Sequence, residues 1–367
     1  MMKMKKPKLP KVKLPKVLKL PARLTRRKAP ETLISEAIQN LPRITNETVA
    51  EHREEVLSSA RKYIYPLSHS KHRVVKISVT LLVAAIVLFF AFIILALYKF
   101  QSTSGFVYGV TQVIPFPIAK AGPSYVAYEN YLFELRHYMH YYETQQKVTF
   151  TTESGKKQLE TYKKSALQQV TDDAYVKQLA SKNHVSVSNK EVDAEVALVR
   201  SQNRLGSSDQ AFANVLSEFW GWSISDFKRE LKQQLLAQKV VAKLDIGTQA
   251  RANATLAQLV GGTDFATLAA QVSDDTSTKG NGGQYGILIS QSNRDLAPQA
   301  VAELFKLKPG QISPIIDTGY SLEIDKLLEV SGDKVSAAHI VFNFQPISAY
   351  INPLKTTEKP HTYLKIK

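Results

Sequence analysis

The chain offers few of the residue types that carry out covalent or metal-dependent catalysis. Its 367 residues include no cysteine, which excludes a thiol nucleophile, a disulfide framework and Cys-ligated zinc or iron–sulfur sites. The sequence shows no nucleophile elbow, no phosphate-binding loop and no recognisable cluster of metal ligands. His137 and His140 lie three residues apart in a helical segment, but a metal would need further ligands, so we interpret them as surface histidines. We therefore expect no cofactor.

An uncharged apolar segment at residues 77–98 divides the chain. It has 22 residues, lies between Lys76 and Lys99, and as a helix would be about 30 Å long, enough to cross the hydrocarbon core of a bilayer. It starts too far from the N-terminus, and is too long, for a typical signal peptide. We predict an uncleaved transmembrane helix, with a buried core helix as the alternative.

Most of the net positive charge precedes this segment. The formal net charge is +16, and residues 1–76 carry 19 Lys or Arg against 6 Asp or Glu. This excess predicts that residues 1–76 are cytoplasmic and residues 99–367 extracytoplasmic. Residues 3–28 include a Lys/Leu/Pro repeat that predicts an extended or disordered arm, and residues 46–65 predict a short helix. Anionic lipid or nucleic acid is one candidate partner of the arm, and a solvated tail that only fixes the topology is the alternative.

The next part of the chain has the pattern of packed helices. Residues 125–142 carry aromatic and aliphatic side chains all round the helix, so that other helices or a bound client must cover them. Later segments have apolar residues at helical spacing and begin at capping residues such as Ser208 and Ser223, which predicts an all-α domain. The segments HVSVSNKEVDAEV, AFANVL and DFKRELKQQLLAQKV, with the turn Gly221-Trp222-Ser223, resemble the helical N-terminal region of SurA-type periplasmic chaperones.

A second resemblance covers residues 261–330. The segments GGTDFATLAAQVSDDTSTKGNGGQYG and LFKLKPGQISPIIDTGYSLEIDKLLEV resemble the parvulin domain of peptidyl-prolyl isomerases, which carries such spaced motifs in this order. The pattern itself predicts helices over 255–272 and 298–305, a glycine turn over 280–286 and a strand over 322–330. Together these elements predict a small antiparallel sheet with helices packed on it.

The first strand of a parvulin domain, of the form S-H-I-L-V, is missing from its usual place. The segment there, VVAKLDIGTQARANATL, has neither the histidine nor a clear strand pattern, whereas residues 335–344 supply both after the domain has ended. Residues 331–334 predict a short turn that would pair this late strand with the strand before it. Three interpretations stay open: a circular permutation with residues 337–342 as the displaced strand, the truncated start of a second parvulin domain, or an unrelated edge strand.

The resemblance to parvulins implies a set of site residues. It places Asp275 next to the bound peptide bond, and it places His339 at the first-strand histidine if the permutation holds. Ser321 stands where the last strand of the family carries a second histidine. It is the third residue implied for the catalytic site, and a serine there leaves the paired-histidine network incomplete. The residues implied to bind the substrate are Leu296, Ala300, Phe305 and Gln284.

The residues alone leave other roles open. Asp275 could cap a turn, and His339 could be a core histidine whose hydrogen bonds are satisfied. Phe305 could belong to the core, and Ala300 replaces a phenylalanine in the wall of the family's proline pocket. The glycines at 282, 283 and 286 are interpreted as structural, because they permit the tight backbone of the turn.

The predicted fold class is α+β, with one transmembrane helix, an all-α SurA-like domain and a small parvulin-like domain of antiparallel sheet and helices. The predicted boundaries are 1–73 for the cytoplasmic arm, 74–99 for the span, 100–245 for the helical domain, 246–344 for the parvulin-like domain and 345–367 for a C-terminal tail.

The resemblance implies a membrane-anchored, extracytoplasmic foldase that isomerises X-Pro bonds in unfolded or newly exported polypeptides and needs no cofactor. A chaperone with an inactive parvulin domain, which binds extended client chains, is the alternative that Ser321 and Ala300 favour. A third interpretation is a scaffold for an envelope complex, in which the basic arm is the functional end.

Overall fold

The computed structural model describes residues 45–64, 67–202 and 208–366, and it describes side chains outside residues 62–72. The predicted Lys/Leu/Pro arm lies outside these residues. Contacts within the chain divide it into two compact units, Met1–Ala85 and Ile86–Lys367. His137, His140 and all candidate site residues belong to the second unit.

The described elements run from an apolar helix through a helical region to a small α+β region. The helices are α1 (Asn46–Ile64), α2 (Leu67–Ile94), α3 (Gly105–Val113), α4 (Tyr128–Thr144), α5 (Glu153–Lys182), α6 (Asn189–Gln202), α7 (Asp209–Trp220), α8 (Ile224–Leu244), α9 (Ile246–Val260), α10 (Phe265–Val272), α11 (Pro298–Leu304) and α12 (Ser348–Thr357). The strands are β1 (Pro117–Ala121), β2 (Ser124–Ala127), β3 (Ile289–Ser290), β4 (Ile316–Asp317), β5 (Ser321–Ser331), β6 (Lys334–Asn343) and β7 (His361–Thr362).

One helix in the described part of the chain is long and apolar enough to cross a membrane, as judged by length and composition. It comprises the 27 residues Arg73–Lys99, formed by most of α2 and a π-helical turn that continues it. Its side chains from residue 73 to 92 are exposed, which suits contact with lipid. Its C-terminal end differs, because Ile93, Ala96 and Leu97 are buried against the helical region.

The helical region contains a small sheet that the sequence analysis missed. β1 and β2 form a hairpin, and β7 from the far end of the chain joins β1 as a third antiparallel strand. The all-α prediction for residues 100–245 is therefore wrong. Strands of two to five residues carry too little alternation to be recognised, and β7 lies far from β1 in the sequence. The helix predicted from residue 125 begins at Tyr128, because the residues before it pair with β1.

Aromatic side chains form the centre of the helical region. Tyr128 and Tyr131 on α4, and Tyr175 on α5, are at most 1% exposed. The Tyr128 hydroxyl donates a hydrogen bond of 2.7 Å to the Leu97 carbonyl, and its ring meets the Tyr131 ring edge-on at 5.4 Å. The first half of this aromatic helix is therefore covered by its own domain rather than by a bound client.

The helices of the SurA-type resemblance begin and end at the residues that the sequence predicts. The Ser208 hydroxyl accepts a hydrogen bond from the Ala211 amide at the start of α7. Ser223 and Asp226 form a capping box at the start of α8. α7 ends at Gly221, whose φ of 67° is a left-handed conformation that glycine adopts without strain.

The C-terminal residues complete the core of the helical region. Ile351 on α12 and Leu364 after β7 are each 2% exposed and belong to the same apolar cluster as the aromatic residues of α4. Lys355 forms an ion pair of 2.5 Å with Asp172 on α5. Of the segment predicted as a tail, residues 345–367, the described part up to residue 366 therefore packs on the helical region.

Four antiparallel strands form the sheet of the α+β region, in the order β3-β6-β5-β4. β5 and β6 are joined by a tight turn at Gly332, where φ is 62°, and they pair along nearly their whole length. β6 lies between β3 and β5 in the interior of the sheet. This arrangement confirms the predicted hairpin between the late strand and the strand before it.

Helices cover both faces of this sheet. α9 and α10 pack on one face, and α11 packs on the other, where β6 contributes Val335 and Ala337. The single helix predicted over 255–272 is in fact two helices. The helical conformation is interrupted at Gly262, where φ is 92°. α10 then begins where the Asp264 carboxylate accepts a hydrogen bond of 2.8 Å from the Thr267 amide.

A cluster of buried carboxyl groups lies where α4, α5 and α8 meet. Glu134 is 8% exposed, and the half-buried Glu230 and Asp173 lie near it. Burial raises the pKa of Glu134, and the nearby Glu230 and Asp173 carboxylates raise it further. Burial also raises the pKa of Asp173 to about 7, whereas Arg229 lowers the pKa of Glu134.

We expect Glu134→Gln to reduce the pH dependence of stability. A carboxyl group whose pKa is raised by folding contributes stability that is present in full below its unfolded pKa, about 4, and is lost as the pH rises through its folded pKa. Between pH 5 and 8 the free energy of unfolding of the wild-type protein should therefore fall by about 1–2 kcal/mol more than that of the variant. Urea denaturation across this pH range measures the difference. The matched control is Glu143→Gln, on the exposed part of the same helix, and equal pH profiles for wild type and Glu134→Gln would contradict the prediction.

Candidate active site

The loop after α10 is fixed against the middle of β6. The Asp274 amide donates to the Val341 carbonyl at 2.8 Å, and the Asp274 carboxylate accepts from the Asn343 amide at 2.9 Å. Arg251 on α9 holds the same carboxylate with two hydrogen bonds of 2.7 and 3.1 Å. Because Asp274 is anchored in this way, the next residue, Asp275, is held beside β6.

Asp275 accepts hydrogen bonds from several donors in its own loop. Its Oδ1 accepts from the Ser277 amide at 3.0 Å and from the Ser277 hydroxyl at 2.6 Å, and its Oδ2 accepts from the Thr278 hydroxyl at 2.5 Å. Partial burial disfavours the charged form, but these hydrogen bonds and His339 hold the pKa of Asp275 well below its usual value. Asp275 is thus an ionised acceptor, and it also has the turn-capping role that the sequence left open.

His339 on β6 contacts this carboxylate directly. Its Nε2 lies 2.8 Å from Asp275 Oδ2 and 2.9 Å from Thr278 Oγ1, and the ring is 4.2 Å from the ring of Tyr285. The residue is 8% exposed. Burial lowers the pKa of His339, but Glu323 and Asp275 outweigh burial and raise it. The structure therefore brings Asp275 and His339 together, although 64 residues separate them in the chain.

Two carboxyl residues of β5 complete the surroundings of His339, and the sequence analysis missed both. Asp325 pairs with His339 across the sheet, is fully buried, and accepts a hydrogen bond of 3.4 Å from the Tyr285 hydroxyl. Glu323 Oε2 lies 3.8 Å from His339 Nδ1. Burial and the neighbouring Glu323 raise the pKa of Asp325 to about 8. The alternation of SLEID, which places residues 321, 323 and 325 on one face, was the signal that could have found them.

Ser321 lies further along β5, opposite Asn343. Its hydroxyl donates to Glu323 Oε1 at 3.2 Å and lies 2.8 Å from Thr318 Oγ1. The structure thus connects Ser321 to the site through Glu323, and it is Glu323 that stands beside the imidazole.

The sequence showed no cluster of metal ligands, whereas the structure assembles one among the described residues. Glu323, Asp325 and His339 each offer one ligand atom, and the three atoms lie within 4.8 Å of one another. Glu323 and Asp325 are two residues apart on β5, whereas His339 lies on β6. The spacing of these residues along the sequence therefore does not predict the cluster.

The four residues implied to bind the substrate differ in how much surface they present. Ala300 on α11 is fully buried, and it offers no surface to a ligand in this conformation. Leu296 and Phe305 are half-buried, and like Tyr285 they pack against the apolar cluster between α11 and the sheet. Gln284 is exposed, next to the loop that carries Asp275.

Two glycines allow the loop to approach β6 closely. Gly283 has φ of 82°, and a Cβ atom there would lie 2.3 Å from the His339 carbonyl oxygen. The His339 amide donates to the Gly283 carbonyl at 2.8 Å. Gly282 has φ of 71°, and a Cβ atom there would lie 2.7 Å from Ala266 Cβ. The structure confirms the structural role predicted for these glycines.

The chain matches two protein families, in the order that the sequence analysis expects. Residues 68–241 match the SurA-like N-terminal domain, and residues 236–329 match the PPIC-type PPIase domain. The chain therefore combines a SurA-like N-terminal domain with a PPIC-type PPIase domain. Both resemblances and the predicted α+β class are confirmed.

Relatives with curated names are similar over these domains. The foldase protein PrsA of Caldanaerobacter subterraneus subsp. tengcongensis is 27% identical over 183 residues, which cover 47% of this chain and 58% of that protein. The parvulin-like PPIase of Rickettsia typhi is 33% identical over 89 residues, which cover 24% of this chain and 32% of that protein. The chain thus spans less than two thirds of the length of either relative. A crystal structure of foldase protein PrsA from Streptococcus pneumoniae aligns with 56% of this chain and 81% of its own, at 19% identity and a TM-score of 0.21.

We expect Gly283→Ala to destabilise the protein far more than Gly286→Ala. Both glycines have positive φ, 82° and 70°, but only at Gly283 would the added methyl group collide with the backbone of β6. Gly286→Ala should cost about 1 kcal/mol of unfolding free energy from backbone strain, and Gly283→Ala more than about 2 kcal/mol because β6 must also shift. Urea denaturation of the two purified variants compares them, and similar losses at both positions would show that the close approach to β6 is unimportant.

Proposed function

We propose that the chain is a peptidyl-prolyl cis-trans isomerase that acts on unfolded polypeptides outside the cytoplasm. The observation that supports this most directly is the contact of 2.8 Å between Asp275 and His339 inside a PPIC-type PPIase domain. These are two of the three residues that the resemblance to parvulins assigns to the catalytic site. They come together only because β6 fills an interior place in the sheet.

The reaction suits a site without a cofactor. Rotation about a peptide bond crosses a barrier of about 18–20 kcal/mol, and no bond needs to be made or broken. An isomerase must bind the twisted amide more tightly than either planar form. We infer that Asp275, held ionised by Ser277 and Thr278, and the imidazole of His339 set the electrostatic field at the amide. The half-buried Leu296 and Phe305 supply apolar surface for the proline ring.

A chaperone that binds client chains without catalysis is the second candidate. Ala300 is fully buried where the family carries a larger side chain, so the apolar wall for proline is reduced. An apolar cleft of about 240 Å³, lined by Val241, Tyr320, Phe344 and Pro346 among others, lies elsewhere on the molecule and offers surface to an extended chain. This function would use the same clients without a working Asp275–His339 pair.

We expect Asp275→Ala and His339→Ala each to lower kcat/KM for an X-Pro test peptide by about 10- to 100-fold. Each change removes a charge-assisted hydrogen bond, worth about 1.5–3 kcal/mol, from the catalytic site. The rate of cis-to-trans conversion is measured with the purified full-length protein in detergent. Asp295→Ala, an exposed aspartate of the same domain, is the matched control and should keep wild-type activity.

Circular dichroism establishes that each variant is folded before its rate is compared. If the folded wild-type protein does not accelerate the conversion, the isomerase proposal fails. Suppression of aggregation of an unfolded client by that same inactive protein would then support the chaperone.

We propose further that Arg73–Lys99 anchors the protein in a membrane, with the N-terminus in the cytoplasm. The length and apolar composition of this helix support anchoring, and the basic residues before it support the orientation. Newly exported polypeptides are the clients that this location would offer. Binding of anionic lipid or nucleic acid by the basic arm stays a proposal from its charge.

The absence of cysteine makes the orientation directly testable. Single cysteines introduced as Ser58→Cys and Ser292→Cys place a thiol at an exposed position before and after the helix. A membrane-impermeant maleimide should label Ser292→Cys in intact cells, and should label Ser58→Cys only after the membrane is permeabilised. The reverse pattern would overturn the orientation, and extraction of the protein by alkaline carbonate would overturn the anchor.

A further inference from the structure

His339 has two ring nitrogens in very different surroundings. Nε2 lies 2.8 Å from the ionised carboxylate of Asp275 and donates to it, so that in the neutral imidazole the lone pair lies on Nδ1. Nδ1 is buried and has no hydrogen-bond partner among the described residues. A buried acceptor without a partner is costly, so the geometry points to a group that the lone pair would bind.

A second buried atom beside it is also without a partner. Asp325 is fully buried, and the Tyr285 hydroxyl engages only its Oδ1, so that Oδ2 has no hydrogen-bond partner in the described part of the chain. Glu323 Oε2 lies 3.8 Å from His339 Nδ1, and its side chain is 13% exposed. One nitrogen and two carboxylate oxygens therefore surround one small volume.

We propose that Glu323, Asp325 and His339 form a binding site for one divalent transition-metal cation, of the class of Zn²⁺ or Co²⁺. Such ions accept one imidazole nitrogen with two carboxylate oxygens, whereas Mg²⁺ and Ca²⁺ prefer oxygen ligands alone. Three protein ligands leave one coordination position for water.

The distances suit this class of ion after a small adjustment. Ligands at about 2.1 Å from a tetrahedral ion are about 3.4 Å apart, and the three ligand atoms here lie within 4.8 Å of one another. Glu323 has the longer of the two acidic side chains, and it approaches His339 Nδ1 from the partly exposed side. Side-chain rotations of Glu323 and Asp325 would bring the ligand atoms to these separations while the backbone pairing of Asp325 with His339 is kept.

The proposed ligands are held by the kind of hydrogen-bond partners that orient metal ligands in proteins. A metal-bound histidine almost always donates its second N–H to a carboxylate, a backbone carbonyl or water, which orients the ring, and Asp275 accepts from Nε2 in this way. The Tyr285 hydroxyl holds the non-ligating oxygen of Asp325. The inference does not rest on isomerase activity, because the ligands, their burial and their free atoms are properties of the folded chain.

The test measures metal binding to the untagged full-length protein in detergent, after removal of metals by a chelator and dialysis. We expect calorimetric titration with Zn²⁺ to show one saturable site, and Co²⁺ to give the visible absorption of a four-coordinate ion. Glu323→Gln should weaken the binding at least 10-fold, and His339→Ala should abolish it. Zn²⁺ should also raise the melting temperature of the wild-type protein more than that of Glu323→Gln.

Two control variants separate this site from others. Glu329→Gln lies on the exposed end of the same strand and should bind as the wild type does. His140→Ala removes one of the two half-buried histidines of α4 and should likewise leave the binding unchanged. Absence of a saturable site in the folded wild-type protein would overturn the proposal. Binding that Glu323→Gln leaves intact, or that His140→Ala removes, would overturn it as well.

Discussion

The antiparallel pairing of β5 with β6 is the interaction on which the candidate site depends. It sets Asp325 opposite His339 and places Glu323 two residues further along the same face. Because side chains alternate along a strand, a shift of the pairing by one residue would turn these groups to the opposite face, where Ile324 and Ile340 now pack under α9 and α10. The apolar residues of both faces therefore fix the register that the polar residues require.

β6 also anchors the loop that carries Asp275. Its backbone accepts from the amides of Asp274 and Tyr285 and donates, at His339, to the Gly283 carbonyl, so the loop is attached along the strand from Ala337 to Val341. The match to the PPIC-type domain ends at residue 329, before this strand begins. The structure places this later strand in the interior of the sheet, between β3 and β5, so the interpretation as an edge strand is wrong. That β6 is a displaced first strand stays a prediction.

The sequence predicted the parts of the fold that depend on local chemistry. Ser208, Ser223 and Gly221 marked the ends of helices, because caps act within one turn of the chain. The sheet of the helical region was missed because β1, β2 and β7 are short and their pairing is decided by distant residues. At the site, Asp275 and His339 were named through a family resemblance, whereas Glu323 and Asp325 were missed because only the register of β5 on β6 brings them to the imidazole.

The two aspartates beside His339 show how the environment shifts the pKa of the same residue type in opposite directions. Asp275 accepts three hydrogen bonds from Ser277 and Thr278, which favour the charged form and lower its pKa. Asp325 is fully buried, receives one weak hydrogen bond, and faces Glu323, so its pKa is raised to about 8. The imidazole therefore lies between a fixed negative charge and a carboxyl group that tends to hold a proton.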